Sequence, residues 1–306
     1  MRQKIFIYQE TPKERLDKFI QDQLSVVSRH QIKKAILHGQ VLVNSQKPSV
    51  HHWLKRGDKI TWQSESSDNS GYSGSPITPR IIDQTEEYVV INKPYGLLVH
   101  PTEAGEKNTL AGWLKERYPQ IKKVGENPQR PGLVHRLDRE ASGLMVMALT
   151  PKSFVDLKNQ FQNREVRKEY IALVHGAMIN DRGEIKSSLE RDRQTGHMKA
   201  QTAKNSGQEA HTIYEVIKKF QNYTLLKVNI KTGRSHQIRV HLYSIGHSLV
   251  GDRIYQTKDI RKKKKVRPER LFLHASLLEF KDLGGQKKIY RSRLPKALED
   301  LLKIIK

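Results

Sequence analysis

The chain has 306 residues, with 56 Lys plus Arg against 32 Asp plus Glu and a formal net charge of +24. That surplus favours a polyanionic partner, nucleic acid ahead of anionic membrane, and no stretch approaches the ~20 apolar residues of a membrane span. The absence of cysteine removes disulfides, iron–sulfur clusters, thiolate nucleophiles and Cys-based zinc sites together, and is compatible with a reducing cytoplasm.

In chain order, residues 1–10 read as a short alternating strand without the apolar core of a signal peptide. Leu16, Phe19, Ile20 and Leu24 fall at helical spacing. Ser28 with Gln31 three residues on is a capping-box pattern for a second helix, which turns Ile32, Ala35 and Ile36 inward and stops at Gly39. Strands at 41–43 and 59–62 flank a turn at 55–58. This makes a small α/β domain over residues 1–63, with Arg29, Lys33 and Lys34 on a basic helical surface. Residues 64–79, rich in Ser, Gly and Asp, read as a linker.

From residue 80 to 306 strands dominate, with helices inserted irregularly. Strands are expected at 88–91, 144–149, 170–174, 213–217, 223–230 and 271–273. Helices are expected at 109–118, burying Leu110, Trp113 and Leu114, and after Thr150-Pro151, burying Phe154, Leu157 and Phe161. A third carries Ile238, Leu242 and Ile245 inward and ends at Gly246. The class is α+β with a mixed or antiparallel sheet.

Motif absences narrow the chemistry. There is no Walker phosphate loop, no dinucleotide G-x-G-x-x-G and no G-x-S-x-G elbow. His236 and His241 are five apart without an interposed Glu, the wrong spacing for a metal pair. Neither metal nor cofactor is expected. What remains is Asp138, set between Arg136 and Arg139 in a Gly-bounded loop that leads into the apolar run Leu144 to Leu149. A carboxylate so placed can act as a base or nucleophile, or simply pair with a neighbouring arginine. The stretch alone leaves both open.

Five blocks then fall in one order. His135-Arg136-Leu137-Asp138-Arg139-Glu140-Ala141-Ser142-Gly143-Leu144 resembles the signature of the RluA-type pseudouridine synthases, which modify large-subunit ribosomal RNA. Asn92-Lys93-Pro94 through His100-Pro101, Arg167-Lys168-Glu169-Tyr170, Thr232 through His241 with Gly251-Asp252, and Leu271-Phe272-Leu273-His274-Ala275 resemble its other motifs. Residues 15–58 resemble the S-four-type RNA-binding domain, with Ser45 where a turn glycine is expected. Ala141 stands where the family usually has Thr.

The resemblance implies isomerisation of uridine to pseudouridine without a cofactor. It implies Asp138 as the essential nucleophile or base, Tyr170 as a ring stacked on the base, and Arg234 as the partner of Asp138. Leu273 becomes an apolar wall under the uracil, and Arg136 fills the gap left by an extruded base. Lys93 and His135 join it on the RNA-binding side. The partner implied is structured RNA, chiefly large-subunit ribosomal RNA, met by a monomeric, cytoplasmic protein. The basic tract Arg261 to Arg267 reads as a backbone contact. Two other readings stand beside this one: an RNA-binding assembly factor that has lost catalysis, and a phosphodiester-cleaving enzyme.

Overall fold

The computed structural model describes residues 2–10, 13–24, 29–37, 39–64, 77–102, 105–106, 108–192, 195–201, 207–257, 259–260 and 268–305. Ser28, most of the linker and the basic tract 261–267 lie outside the described residues, as do the side chains of Arg29, Gln31 and Lys34. The backbone groups into two compact units. One takes residues 1–76 with 101–106, the other residues 77–100 with 107–306.

The first unit holds β1 (Arg2–Ile7), α1 (Leu16–Gln23), α2 (Arg29–Leu37), β2 (Val41–Val43) and β3 (Lys59–Ser64). The strands form an antiparallel sheet in the order β1-β3-β2. Leu16, Phe19 and Ile20 of α1 meet Ile32, Ala35 and Ile36 of α2 in one apolar cluster with Tyr8, Val41, Leu54 and Ile60, so the i, i+3, i+4 spacing does what it predicts. The Val43 to Gln46 turn is left-handed at both centres, Asn44 with φ 51° and Ser45 with φ 66°. Asn44 is held there by its side chain, which donates to Asp58 at 2.8 Å and accepts from the Lys59 amide at 2.9 Å. No side-chain bond of Ser45 is seen among the described residues, and it occupies a conformation that glycine adopts without cost.

The second unit is built on a ten-stranded sheet. Its strands are β4 (Arg80–Gln84), β5 (Tyr88–Lys93), β6 (Ser142–Ala148), β7 (Arg167–His175), β8 (Arg182–Arg191), β9 (Met198–Gln201), β10 (Gln208–Lys219), β11 (Tyr223–Ile230), β12 (Leu273–Lys281) and β13 (Lys287–Arg291). They run in the order β4-β5-β6-β12-β7-β11-β10-β8-β9, with β13 beside β12. Every pairing is antiparallel except β6 with β12. The helices are α3 (Leu110–Arg117), α4 (Pro151–Gln162), α5 (Gln237–Ser244) and α6 (Lys296–Ile304).

The α+β class therefore holds, and the starts of α3 and α4 have a visible cause. Thr109 accepts from the Gly112 amide at the head of α3. Thr150 and Ser153 cap each other's amides, and Pro151 sits in the first turn of α4, where a missing N–H costs nothing. β6 is buried at all seven positions, which is why it reads as an unbroken apolar run. The expected inward Ile245 is instead 40% exposed, because α5 ends at Ser244 and Ile245 is already its cap.

One glycine fixes the geometry of the active loop. Ser142 and Gly143 pair with His274 and Ala275 in the short parallel stretch of β6 and β12. Gly143 has φ 121°, and a Cβ there would lie 2.3 Å from the Ala275 carbonyl oxygen. Only glycine lets the two backbones approach this closely, and the loop carrying Asp138 enters the sheet at this point.

Candidate active site

A cleft of about 630 Å³ opens over the middle of the large sheet, and the loop 133–141 forms one side of it. The loop is tied at its base. Lys93 is fully buried and its Nζ donates to the carbonyls of Pro94, Leu97 and Arg139, at 2.9, 2.9 and 3.3 Å. Three acceptors match the three N–H groups of an ammonium. Burial pulls its pKa down to about 7, against the pull of Asp138 and Glu140 in the other direction. The expectation that Lys93 contacts RNA is corrected: its head group is spent on the backbone of two loops. Arg270 does similar work from β12's approach, donating to Ser142 Oγ at 2.6 Å while lying 4.9 Å over the Tyr95 ring.

Within the loop, the Ala141 amide donates to the Asp138 carbonyl at 3.1 Å. The turn thus closes through its backbone, and the buried methyl of Ala141 fits without a hydroxyl. Asp138 is left with its side chain 15% exposed, facing the cleft.

The guanidinium that meets Asp138 is Arg239, not Arg234. Arg239 is 2% exposed and grips Asp252 with two bonds, Nε at 2.7 Å and Nη2 at 2.9 Å. Its remaining nitrogen, Nη1, lies 3.4 Å from Asp138 and 3.6 Å from Glu140. Burial would lower its pKa, but the paired carboxylates outweigh that and raise it. Asp252 is itself held by the amides of Ile254 and Tyr255, at 2.8 and 3.0 Å, so the arginine's anchor is rigid. Arg234 instead lines the cleft from the loop before α5, its Nε donating to the Glu209 carbonyl at 3.1 Å. The physical reason is where α5 begins. Arg239 is on the inward face of its first turn, beside the buried Gln237, Ile238 and Val240, while Arg234 precedes the helix.

The residue at that junction, His236, has φ 54° and ψ 20°, the left-handed region. For a non-glycine residue this costs ~1–2 kcal/mol. Its Nδ1 lies 2.8 Å from the Tyr255 hydroxyl, which also accepts from the Met198 amide at 3.0 Å. Burial and Arg239 lower the His236 pKa, with Asp138 opposing.

Tyr170 is 5% exposed on β7, in register with Val228 of β11 and Ala275 of β12. Burial first, and the charge of Asp138 second, raise its pKa, so the hydroxyl keeps its proton at neutral pH. Leu273, 3% exposed at the start of β12, lines the same cleft. Asp138, Tyr170 and Leu273 are thus brought together as the motif reading requires. Arg136 is exposed at the cleft, and among the described residues no ion pair or hydrogen bond holds it.

His135 turns back into the protein. Its Nε2 accepts from the Val146 amide at 3.1 Å, and its ring stacks on Phe161, centroids 4.5 Å apart. Burial, helped by the nearby Lys168, lowers its pKa to about 3, which keeps the accepting lone pair free. Its contribution is to hold the floor of the cleft. Phe161 also meets a cation that sequence reasoning treated only as part of a motif. Lys168 Nζ is 5.1 Å from the ring centroid, burial lowers its pKa to about 8, and no carboxylate pairs with it among the described residues. It stands two residues before Tyr170 on the same strand, so alternation alone puts both on one face. Of the basic helical surface, only the Lys33 side chain is described, half-buried on α2 of the first unit. Among the described residues no group of three His, Asp or Glu could hold a metal ion.

The arrangement is that of a carboxylate oriented by a fixed arginine, with an aromatic and an apolar side chain facing it and a rim rich in cations. The RNA pseudouridylate synthase family matches residues 87–244, which contain Asp138, Tyr170 and Arg239, and the S4 domain family matches residues 14–60. An RNA pseudouridine synthase of Aquifex aeolicus is 38% identical over 81% of this chain and 79% of its own. The ribosomal large subunit pseudouridine synthase D of Nitrosomonas europaea is 34% identical over 95% of this chain and 84% of its own. Among solved structures, the human RNA pseudouridylate synthase domain containing 4 superposes with a TM-score of 0.58 at 26% identity, covering 73% of this chain and 92% of that one. The chain belongs to the RNA pseudouridine synthase family, and it is an isomerase that carries an S4 domain ahead of its catalytic unit.

Proposed function

We propose that the protein converts specific uridines of large-subunit ribosomal RNA to pseudouridine, with Asp138 as the reacting carboxylate and the target base turned out of its stack into the cleft. The observation that carries the reading is the setting of Asp138. Asp138 faces the cleft beside Arg239, while Asp252, which shares that arginine, is buried and saturated, and Glu126, the other carboxylate of the lining, is exposed and paired with Lys158. The ribosomal target is supported by relatives named for the ribosomal large subunit, in Nitrosomonas europaea and Salmonella typhimurium.

In this reaction the N1–C1′ bond breaks, the uracil turns, C5 bonds to C1′, the C5 proton leaves and N1 gains one. No electrons are exchanged with a cofactor. Asp138 stabilises the detached sugar or ring carbon as nucleophile or base, and Arg239 holds it in place throughout. Tyr170 and Leu273 give the loose base a face to lie on, and their apolar surroundings keep water away from the broken bond. A base inside a folded RNA is unreachable until it leaves the stack, at a cost of a few kcal/mol. Arg136, exposed and without an ion-pair partner among the described residues, is suited to take its place, since a guanidinium both stacks and binds phosphate. Lys168 supplies a second free cation for the strand.

The test uses a large-subunit ribosomal RNA transcript labelled with tritium at C5 of uridine. Release of tritium by the intact protein and none by Asp138→Ala, with RNA binding retained, is the expected outcome. Equal release by both proteins would falsify the assignment, and binding without release by the intact protein would mark it as an assembly factor.

A further inference from the structure

Among the described residues of the catalytic unit two non-glycine residues are left-handed, Arg164 and His236; both line the cleft, but Arg164 is exposed on a turn and His236 is half-buried beside Asp138. A strained backbone persists where the surroundings over-determine it, and such sites gather around function. Here the surroundings also fix which ring nitrogen carries the proton. The Tyr255 hydroxyl oxygen accepts from the Met198 amide, and among the described residues the acceptor available to its own proton is His236 Nδ1. With the Tyr255 proton directed there, Nδ1 accepts and the ring proton sits on Nε2.

That Nε2–H has no partner among the described residues and is not enclosed by protein, while His236 lines the cleft. The same ring lies within the electrostatic reach of both Asp138 and Arg239. It is an oriented, neutral donor beside the reacting carboxylate. Its neighbours cannot do the same work. Asp138 only accepts, and Arg239 is committed to Asp252, Asp138 and Glu140. A neutral donor suits an uncharged oxygen rather than a phosphate, which the rim cations would serve better.

We propose that His236 donates a hydrogen bond from Nε2 to a carbonyl oxygen of the target uracil, and that Tyr255 is the positioning residue that sets its tautomer. The inference rests on the proposed turning of the uridine into the cleft beside Asp138. The backbone strain at His236 is then what brings the ring to the base, and α5 starts immediately after it so that Arg239 reaches Asp138 from the same element.

The test again uses the full chain and the C5-tritiated large-subunit transcript. His236→Gly is the clean deletion, because glycine accepts positive φ without strain. It is expected to lower kcat/KM on the order of 10²-fold, with a thermal midpoint no more than about 3 °C below the parent. His236→Gln, whose amide N–H can stand near the position of Nε2, is expected to keep conversion within about tenfold. Tyr255→Phe, which frees the tautomer, should fall between them. Conversion by His236→Gly within about twofold of the parent overturns the proposal. So does a Gln variant as slow as the Gly variant, or a loss that tracks a collapse of the midpoint.

A second arm uses transcripts carrying 2-thiouridine or 4-thiouridine, whose sulfur is a weaker acceptor. One of them should slow the parent by a larger factor than it slows His236→Gly. Equal slowing of both proteins by both transcripts overturns the carbonyl assignment. Failure of the parent itself to release tritium would instead strike the proposed function, so the two failures are distinct.

Discussion

The two sides of the cleft hold their cations in opposite ways. On the α5 side, Arg239 is buried and shared among Asp252, Asp138 and Glu140. On the Phe161 side, Lys168 rests on an aromatic face with no carboxylate paired to it among the described residues; Arg136, exposed on the loop of Asp138, likewise has no ion-pair partner among them. A charge that must keep its position is best surrounded by opposite charges, which hold it in one geometry. A charge meant for a polyanion is best left without a competitor, since any internal carboxylate would have to be displaced first. The contrast separates groups that shape the reaction from groups that hold the strand.

The sharpest way to break the contrast is to remove half of the buried pair. Arg239→Met leaves Asp252 buried without its partner, and Asp252→Asn leaves Arg239 with Asp138 and Glu140, at 3.4 and 3.6 Å, as its charged neighbours. Breaking one partner of a buried ion pair typically costs ~3–5 kcal/mol. We expect that order of loss for Arg239→Met in urea unfolding. Tritium release should fall on the order of 10²–10³-fold even at temperatures where the variant is folded, because Asp138 is no longer oriented. Asp252→Asn should retain more stability yet still slow conversion. If Asp252→Asn turns over at the parental rate, the rigid anchor is irrelevant to the chemistry and the contrast loses its meaning.

Both sides rest on histidines that refuse a proton, and acid should expose this. His241, on the buried face of α5, exchanges hydrogen bonds with Ser187 and Thr212 and is completely buried; burial first, then His211, lowers its pKa to about 4. His135, under Phe161, is lowered to about 3. The unfolded chain takes up these protons near pH 6.5, the folded chain does not, so between those values the unfolded state binds more protons. Stability from this source is intact above pH 6.5 and is lost as the pH falls toward 4 and 3. The loss should be on the order of 1–2 kcal/mol for each histidine by pH 5. Urea unfolding at pH 7 and pH 5, repeated with His241→Gln, measures it. A flat pH dependence in the parent, or an unchanged one in the variant, would remove His241 from the account.

How much of this was legible beforehand depends on what each residue needs from its neighbours. Asp138, Tyr170 and Leu273 were placed in one site by motif order, and the structure brings them to one cleft. The choice between Arg234 and Arg239 was not legible, because it turns on the helix start, and that start is set by a left-handed histidine that no propensity predicts. Lys93 misled for a related reason. A lysine at a strand end reads as exposed, and only the fold shows three carbonyls converging on it. The missed strands β4, β8, β9 and β13 have few buried positions, none in β4, β9 and β13 and two in the ten of β8, so periodicity had little to work on. Lys168 could have been found from strand alternation with Tyr170, but the lack of a carboxylate partner is a three-dimensional fact.

The Phe161 side gives the smallest effect and the most specific one. An unpaired cation that meets a phosphate contributes one released counterion, or a slope near 0.7–0.9 in log affinity against log salt. Lys168→Met should reduce the salt slope for the large-subunit transcript by about that amount and weaken binding several-fold at low salt, raising KM more than it lowers kcat. The depressed pKa of about 8 gives a further handle. Below it Lys168 is charged and binds; as the pH rises through 8 the charge is lost, and affinity should fall with it. Lys168→Arg keeps its charge across that range and should abolish this part of the pH dependence while keeping the salt slope. Anisotropy titrations at pH 7 and pH 9 in two salt concentrations compare the three proteins directly. If Lys168→Met leaves both slope and pH dependence untouched, the lysine is part of the aromatic floor, and the Phe161 side holds no charge for the strand.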